Sequence, residues 1–226
     1  MEKTSKLTAL VFGSTGLTGS FLAELLSKDS RYERVIIFVR KEIKLYHGKI
    51  KQVVFNPDRI EEIKHEIVGD HLFCCLGSTI KKAGSKEAFF KVDHHLIIDI
   101  AKAAKANGIK VFSLISSIGA SQKSSNFYLN TKGLTEEVLK SMDFDNLDIL
   151  RPSMLLGLRS ENRPLEEAGK VVFKALGKLM IGNFKKYRPI HAETVARAMI
   201  KVANQNQRIV ILESDKIEET GSIPQI

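Results

Sequence analysis

The chain has 226 residues, 43% of them hydrophobic, which is enough for one well-packed domain and too few for two large ones. No apolar run approaches the roughly 20 residues needed to span a bilayer, and glycine interrupts the N-terminal apolar run too early for a signal peptide. The formal charge of +9 comes from lysines and arginines spread along the sequence, without zinc-finger spacing, a ribonucleoprotein motif or a basic tail. We therefore expect one domain over residues 1–226, in a soluble cytoplasmic protein that binds neither nucleic acid nor membrane.

The stretch from Leu7 to Gly19, LTALVFGSTGLTG, joins a short β-type run, three spaced glycines and the start of a helical pattern. Gly13 allows a tight turn, Gly16 lets the backbone approach a pyrophosphate, and Gly19 lets the helix pack closely on the strand. The first N–H groups and the positive end of the helix then face the phosphates. This context predicts a dinucleotide site. Its predicted contacts in this stretch are Gly13, Ser14, Thr15, Gly16, Leu17 and Gly19.

Apolar runs and helical patterns alternate along the chain, which predicts an α/β fold with a doubly wound, mainly parallel sheet and a small C-terminal helical portion. Further strands are predicted at Val35–Val39, Ile50–Phe55, His71–Leu76, Val111–Ile115, Leu147–Leu150 and Arg208–Leu212. Further helices are predicted at Asp58–Ile67, Ser85–Asn107, Tyr128–Met142, Pro164–Met180 and Ala192–Asn204. We expect the segments from about residue 151 onward to form the substrate side and the polar tail from Glu213 to be loosely held.

The ends of three predicted strands indicate how a dinucleotide would be held. Arg40 and Lys41 end the second strand, where an acidic residue would select NAD and an arginine pairs with the 2′-phosphate of NADP. The sequence therefore predicts NADP(H). Asn56 or Asp58, after the third strand, lies beside the adenine in this prediction. The turn after the fourth strand faces the middle of the cofactor, with predicted contacts at Leu76, Gly77 and Ser78.

A tyrosine and a lysine four residues apart follow the predicted fifth strand, which ends at Ser116 and Ser117. On a helix Tyr128 and Lys132 share one face. A tyrosine hydroxyl, with an ordinary pKa near 10, becomes an effective acid or base beside a cation, which Lys132 supplies while also bonding the nicotinamide ribose. Ser117 polarises a substrate carbonyl in this prediction, although Ser116 competes for the role. The spacing predicts hydride transfer to a carbonyl compound.

Several other residues have structural interpretations. The adjacent Cys74 and Cys75 point to opposite faces of a strand and are expected to be packed thiols. Neighbouring His94 and His95 do not share a helix face, so no metal site is expected. Apolar residues of the same helical pattern suit either a buried core or the contact of a homodimer; they are Phe89, Phe90, Leu96 and Ile97.

Beyond these patterns, the motifs of the chain resemble those of the short-chain dehydrogenase/reductases. GSTGLTG from Gly13 is similar to the glycine motif of that family, and Ser117 with Tyr128-x-x-x-Lys132 is similar to its catalytic set. CCLGSTIKKAG, FKVDHH, LISSIGASQKSSNFYLNTKG and LRPSMLLG together resemble the atypical reductases related to the Tat-interacting tumour-suppressor protein. The resemblance implies a Rossmann fold with bound NADP(H), and it implies that Pro152 and Ser153 close over the nicotinamide. His191, in the returning segment near the site, is interpreted as structural.

Two functions remain open at the level of the sequence. The first is an NADP(H)-dependent oxidoreductase that reduces a small carbonyl substrate through Ser117, Tyr128 and Lys132. The second is a catalytically weak NADP(H)-binding regulator that contacts a protein partner, because relatives in the atypical branch bind the cofactor in that role. Binding of nucleic acid through the basic surface is the least favoured interpretation.

Overall fold

The computed structural model describes residues 6–44, 48–157 and 182–222. The described strands are β1 (Leu7–Phe12), β2 (Tyr32–Val39), β3 (Ile50–Val54), β4 (His71–Cys74), β5 (Val111–Ile115), β6 (Asn146–Arg151), β7 (Leu155–Leu156), β8 (Ile190–His191) and β9 (Ile209–Glu213). The α-helices are α1 (Leu17–Lys28), α2 (Ile80–Ala83), α3 (Lys86–Phe90), α4 (Ile97–Ala106), α5 (Phe127–Ser141), α6 (Ala192–Ala203) and α7 (Ser214–Gly221). Two 3₁₀ segments, Ile60–Glu66 and Gly182–Tyr187, and a π-helical turn, Lys91–Leu96, complete these elements.

Seven strands form one parallel sheet in the order β3-β2-β1-β4-β5-β6-β9. The order reverses beside β1, where Phe12 is in register with Cys74 of β4. Ligands of open α/β sheets bind beyond the carboxyl ends of the strands at such a switch point. The doubly wound α/β fold predicted from the alternating pattern is confirmed. A ligand site is therefore expected at the carboxyl ends of the central strands, β1, β4, β5 and β6.

The sheet is covered on both faces, which explains why β1, β2 and β4 are largely apolar. On one face, residues of α4 and α5 such as Ile97 and Leu139 pack against the sheet. On the other face, residues of α1 and α6 such as Leu22 and Val195 do so. Cys74 contributes to the first layer and Cys75 packs against the second, as the alternation of side chains in a strand predicts.

The long helix predicted at Ser85–Asn107 is present but locally wider. The hydroxyl group of Ser85 accepts a hydrogen bond from the Ala88 N–H group and caps α3, and the chain leaves α4 before Gly108, whose φ is +77°. Between α3 and α4 the backbone makes the π-helical turn Lys91–Leu96. π-Helical turns are rare in proteins, and many of those that occur are at functional sites.

The prediction of a loosely held tail after Glu213 is wrong. The segment forms α7, in which Ile217 is fully buried, and a Cβ atom at Gly221 would lie 2.0 Å from the carbonyl oxygen of Thr194. Its single apolar side chain gives no helical period, so the sequence conceals the packing. The helix predicted at Pro164–Met180 lies outside the described residues. Within the described part of the chain, none of the helices has the length and apolar character that crossing a bilayer requires.

Candidate functional site

The turn between β1 and α1 requires glycine at two positions. Gly13 has a φ of +81°, and a Cβ atom there would lie 2.6 Å from the carbonyl oxygen of Cys75. A Cβ atom at Gly19 would lie 2.2 Å from the carbonyl oxygen of Gly13, because α1 starts close against the turn. Both distances are far below van der Waals contact. The shape of the turn and the packing of α1 on β1 therefore depend on these two glycines.

The N-terminus of α1 is open. Its N-cap residue is Gly16, none of the described side chains caps it, and its first turn contains no acidic residue. A Cβ atom at Gly16 would meet only the carbonyl oxygen of Gly13, at 3.2 Å, so its outer side faces the free space of a cleft. The first N–H groups of α1 are available to an anion there, and phosphate groups bind helix N-termini of this kind.

Two buried hydroxyl groups beside this turn have no hydrogen-bond partner among the described residues. They are Ser14 Oγ and Thr18 Oγ1, in residues that are 6% and 4% exposed. Buried hydroxyl groups are normally hydrogen-bonded. Thr18 also lines the cleft, so its hydroxyl group is suitably placed for a polar ligand. The open helix end and the unpartnered hydroxyls fit the phosphate-bearing part of a dinucleotide.

The cleft has a volume of about 530 Å³ and lies at the carboxyl ends of the central strands. This volume is within the range typical of small-molecule sites. The lining residues are Thr15, Gly16, Leu17, Thr18, Ser20, Cys75, Leu76, Gly77, Ser78, Thr79, Lys82, Ile115, Ser116, Ser117, Tyr128, Lys132, Pro152, Ser153 and Leu155. The structure therefore brings the start of α1, the turn after β4, the end of β5 and the start of α5 around one space.

Tyr128 and Lys132 both line this cleft from α5. The helix begins one residue before Tyr128, because the side-chain oxygen of Asn126 accepts a hydrogen bond from the Leu129 N–H group and caps it. The tyrosine ring packs against the ring of Phe89, with 5.4 Å between the centroids. Phe89 is fully buried, so it supports the tyrosine from within the protein.

Lys132 is 4% exposed and forms an ion pair with a fully buried carboxylate. Its Nζ atom lies 2.7 Å from Oδ1 of Asp93, and Oδ2 of Asp93 accepts a 2.9 Å hydrogen bond from the Ser78 N–H group. Burial opposes the charge of Lys132, but the proximity of Asp93 and Tyr128 outweighs it and raises the pKa of the lysine above its usual value. The ammonium group is therefore held charged at the wall of the cleft.

Ser116 and Ser117 line the same cleft but differ in their bonding. The Ser116 hydroxyl donates a 2.5 Å hydrogen bond to Oε1 of Glu136, which also accepts a 3.0 Å hydrogen bond from Arg151 Nε. Glu136 is 1% exposed, and its ion pair with Arg151 holds the pKa of that arginine above its usual value. Within the described ranges, the Ser117 hydroxyl makes a single long contact, 3.4 Å from the Ile118 carbonyl oxygen. Ser117 is thus the serine whose hydroxyl group is more readily available to a ligand.

Some predicted contacts do not line the cleft. Gly13, Ser14 and Gly19 form the turn beneath it, while Arg40 and Lys41 are exposed at the end of β2. The β1–β2 register aligns Phe12 with Phe38, which sets the end of β2 beside the glycine turn. Asn56 is exposed after β3, where its side-chain oxygen accepts a hydrogen bond from the Asp58 N–H group. The remaining predicted contacts, from Thr15 to Ser153, all line the cleft.

The sequence prediction omitted several residues at or beside the cleft. Five further residues line it: Thr18, Ser20, Thr79, Lys82 and Leu155. Two carboxylates beside it hold lining residues, because Asp93 pairs with Lys132 and Glu136 accepts a hydrogen bond from Ser116. The only sequence signal for Asp93 was a carboxylate within the apolar stripe of a helical pattern. Its partner lies far along the chain, so spacing could not identify the pair.

The histidines beside Asp93 have no metal-binding arrangement in the described part of the chain, where no three His, Cys, Asp or Glu side chains converge. The Nδ1 atom of His94 lies 3.0 Å from the hydroxyl oxygen of Thr135 on α5. This contact, together with the hydrogen bond from the Thr135 hydroxyl to the Asp93 carbonyl oxygen, attaches the π-helical turn to α5.

Comparison with known protein families identifies the chain more directly. Residues 13–206 match the model of a family described as NAD(P)H-binding, a range that runs from the glycine turn to the end of α6 and beyond. The chain belongs to this NAD(P)H-binding family. Membership agrees with the open end of α1, and it applies to the nicotinamide dinucleotides as a class without distinguishing NAD from NADP.

Two curated relatives match the chain over nearly its whole length. "Protein FMP52, mitochondrial" of Meyerozyma guilliermondii is 32% identical over 95% of each chain. "Protein HTATIP2" of Rattus norvegicus is 30% identical over 97% of this chain and 91% of its own. These relatives confirm the resemblance to the Tat-interacting group that the motifs indicated. The expectation of a cytoplasmic protein is wrong, because FMP52 relatives from several yeasts are named as mitochondrial. That expectation weighed only the pattern of a secretory signal peptide, which bears on secretion and not on mitochondria.

A solved structure extends the comparison to the fold. The oxidoreductase ylbE from Lactococcus lactis matches with a TM-score of 0.67 at 19% identity, over 95% of this chain and 94% of that one. At this identity the match supports the Rossmann-type fold alone. The chain is thus an NAD(P)H-binding protein with the fold of the Rossmann oxidoreductases.

Proposed function

We propose that this chain is an NADP(H)-dependent reductase that transfers hydride to the carbonyl carbon of a small substrate. The observation that carries the proposal is the shared cleft. Tyr128, Lys132 and Ser117 line the same space onto which the uncapped end of α1 opens. A proton donor, a cation and a hydroxyl donor at one end of a nicotinamide dinucleotide site are the groups that carbonyl reduction requires.

The glycine turn and its surroundings supply the groups that would hold the cofactor. The first N–H groups of α1, from Gly16 onward, suit the pyrophosphate, and Gly77 and Ser78 suit the middle of the molecule. Pro152 and Ser153 would lie against the nicotinamide, and Lys132 would bond its ribose. When bound, the cofactor supplies the hydride ion, and the other steps belong to the residues of the chain.

Tyr128 would donate its phenolic proton to the carbonyl oxygen as negative charge develops there. Lys132 remains charged beside it, because Asp93 offsets the cost of burying the ammonium group. That positive charge favours the phenolate left after proton transfer. Ser117 would donate a second hydrogen bond to the same oxygen. Its availability supports this role over Ser116, whose hydroxyl is already bonded to Glu136.

The preference for NADP(H) over NAD(H) rests on the residues that follow β2. Arg40 and Lys41 are exposed beside the glycine turn, and no acidic side chain occupies either position. A guanidinium group there can form a bidentate pair with the 2′-phosphate. A charge-assisted contact contributes about 1.5–3 kcal/mol, which corresponds to about 10- to 100-fold in affinity.

The test is NADPH oxidation across a panel of aldehydes and ketones, by the wild type and by Tyr128→Phe. The variant should retain NADPH affinity and lose about 10²- to 10⁴-fold in turnover, the usual contribution of a general acid. Tyr187→Phe is the matched control, since Tyr187 is exposed and does not line the cleft. Equal rates in wild type and Tyr128→Phe would contradict the assignment. Cofactor binding without turnover on any carbonyl would favour the regulatory alternative.

We also propose that the chain is mitochondrial. The support is the designation of the FMP52 relatives, which match nearly the whole length of the chain. Fractionation of cells that express the full chain with a C-terminal tag tests the location. Recovery with a mitochondrial matrix or membrane marker is expected, and recovery with cytosolic markers alone would contradict it.

A further inference from the structure

The buried carboxylate of Asp93 can act on carbonyl reduction only through Lys132, and it contacts two walls of the cleft. One oxygen lies 2.7 Å from Lys132 Nζ, and the other accepts the N–H group of Ser78 at 2.9 Å. Its side chain is fully buried. A single carboxylate thus joins α5 to the turn after β4, the two segments between which the nicotinamide end of a dinucleotide would lie.

The π-helical turn Lys91–Leu96 is what directs this carboxylate inward. The carbonyl oxygen of Asp93 accepts a 2.9 Å hydrogen bond from the hydroxyl group of Thr135, which is on α5 one turn beyond Lys132. Both the backbone and the side chain of Asp93 are therefore held against α5. The position of the carboxylate relative to Lys132 is fixed by contacts independent of any ligand.

Among the described groups around Lys132, Asp93 contributes most to stabilising the ammonium ion. The described titratable neighbours are Asp93, Tyr128 on α5 and the thiol of Cys74 on β4, and Lys82 lines the same cleft from α2. Burial raises the pKa of the Cys74 thiol to about 12, so this group is neutral. A lysine buried without a counter-ion loses its proton at much lower pH, by up to about 3–5 units.

We propose that Asp93 is a positioning residue that keeps the buried ammonium group of Lys132 charged and fixes it against the turn at Gly77 and Ser78. The salt bridge itself stands on the geometry of the chain alone. Its consequence for turnover rests on the proposed reductase function, because only there does the charge of Lys132 assist proton transfer from Tyr128. Without Asp93, the alkaline limit of activity follows the deprotonation of Lys132.

The direct test is the charge state of Lys132 in the protein without cofactor. The chain is labelled with ¹³C at lysine Cε, and the Lys132 resonance is assigned through its loss in Lys132→Arg. In the wild type this resonance should keep its ammonium position up to about pH 10, where exposed lysines titrate. In Asp93→Asn its titration should move down by roughly 3 pH units. A shift below about one unit would overturn the proposal.

Asp93→Asn suits this test because it removes the charge with little change of shape. An asparagine oxygen can still accept the hydrogen bond from Ser78, so the turn after β4 retains its partner. Asp99→Asn is the matched control. Asp99 is an exposed carboxylate of α4, 3.8 Å from Lys102, and the same substitution there should leave the Lys132 titration unchanged. A shift in the control equal to that in Asp93→Asn would also overturn the proposal.

A reciprocal variant covers the case in which Asp93→Asn does not fold. Lys132→Met retains Asp93 but leaves its carboxylate buried without the ammonium group. Removing the carboxylate as well, in the double variant Lys132→Met/Asp93→Asn, should raise the urea midpoint above that of Lys132→Met, because the unpaired buried charge is gone. Equal midpoints for the two variants would contradict the coupling of the two groups.

Turnover separates this inference from the proposed function. In Asp93→Asn, kcat for carbonyl reduction should be retained at acidic pH. Its decline at alkaline pH should begin earlier than in the wild type, by the same number of pH units as the shift in the NMR titration. Shifted resonances in a protein that reduces no carbonyl would refute the reductase and leave the role of Asp93 intact. Active protein with unshifted resonances would refute the role of Asp93 alone.

Discussion

Asp148, in the middle of β6, should make the free energy of unfolding depend on pH in an unusual way. It is fully buried, neither carboxylate oxygen has a partner among the described residues, and the adjacent Ser113 hydroxyl on β5 is also unpartnered. Burial raises the pKa of Asp148 from 3.8 to about 7. The folded chain therefore binds this proton more tightly than the unfolded chain. The stabilising contribution is complete below about pH 4 and is lost as the pH rises to about 7.

The pKa difference of about 3 units corresponds to about 4 kcal/mol of unfolding free energy. Urea unfolding of wild type and Asp148→Asn at a series of pH values isolates this contribution, because other titrating groups are common to both proteins. Between pH 4 and pH 8 the difference should move by about 4 kcal/mol in favour of the variant. Asp145→Asn, at an exposed carboxylate before β6, should show no such trend. A difference for Asp148→Asn that stays constant within about 1 kcal/mol would refute the argument.

Three other substitutions test separate features of the structure. Burial lowers the pKa of His71 to about 4, so stability should fall by about 3 kcal/mol as the pH drops from 6.5 towards 4, and His71→Gln should remove this loss in acid-unfolding curves. Gly19→Ala places a methyl group 2.2 Å from the carbonyl oxygen of Gly13. The variant should lose about 1–3 kcal/mol of unfolding free energy in urea and bind NADPH more weakly. Unchanged NADPH affinity would contradict the requirement for close packing at this position. Glu136→Gln leaves the guanidinium group of Arg151 without its counter-ion and should cost roughly 3 kcal/mol, whereas Glu137→Gln on the exposed side of α5 should cost less than about 0.5 kcal/mol.

The fold was largely predictable because the strands of a parallel sheet covered on both faces are apolar along most of their length, a pattern that is easy to recognise in a sequence. The central strands are mainly apolar, with Ser113 of β5 and Asp148 of β6 as buried exceptions. Gly13 and Gly19 of the first turn stand where a positive φ or a very close contact requires glycine. The segment after Glu213 was mispredicted for the complementary reason. Ile217 is the one apolar side chain of α7, and a single apolar residue produces no recognisable period.

The candidate site was predictable where its residues are neighbours on one element. Tyr128 and Lys132 are one helical turn apart, so their common face follows from spacing alone. Asp93 reaches Lys132 only through the topology of the sheet and the π-helical turn, neither of which spacing reveals. The choice between Ser116 and Ser117 likewise depended on which hydroxyl Glu136 engages, a contact between β5 and α5.

The most direct test of the central claim is a calorimetric titration of the cofactor-free protein with NADPH and with NADH, repeated on Arg40→Ala. We expect both dinucleotides to bind, NADPH to bind about 10- to 100-fold more tightly, and this preference to collapse in the variant. Lys110→Ala, at an exposed lysine before β5 and away from the cleft, serves as the control and should leave the preference unchanged. Failure of the wild type to bind either dinucleotide would contradict the assignment of the glycine turn and the cleft as a dinucleotide site.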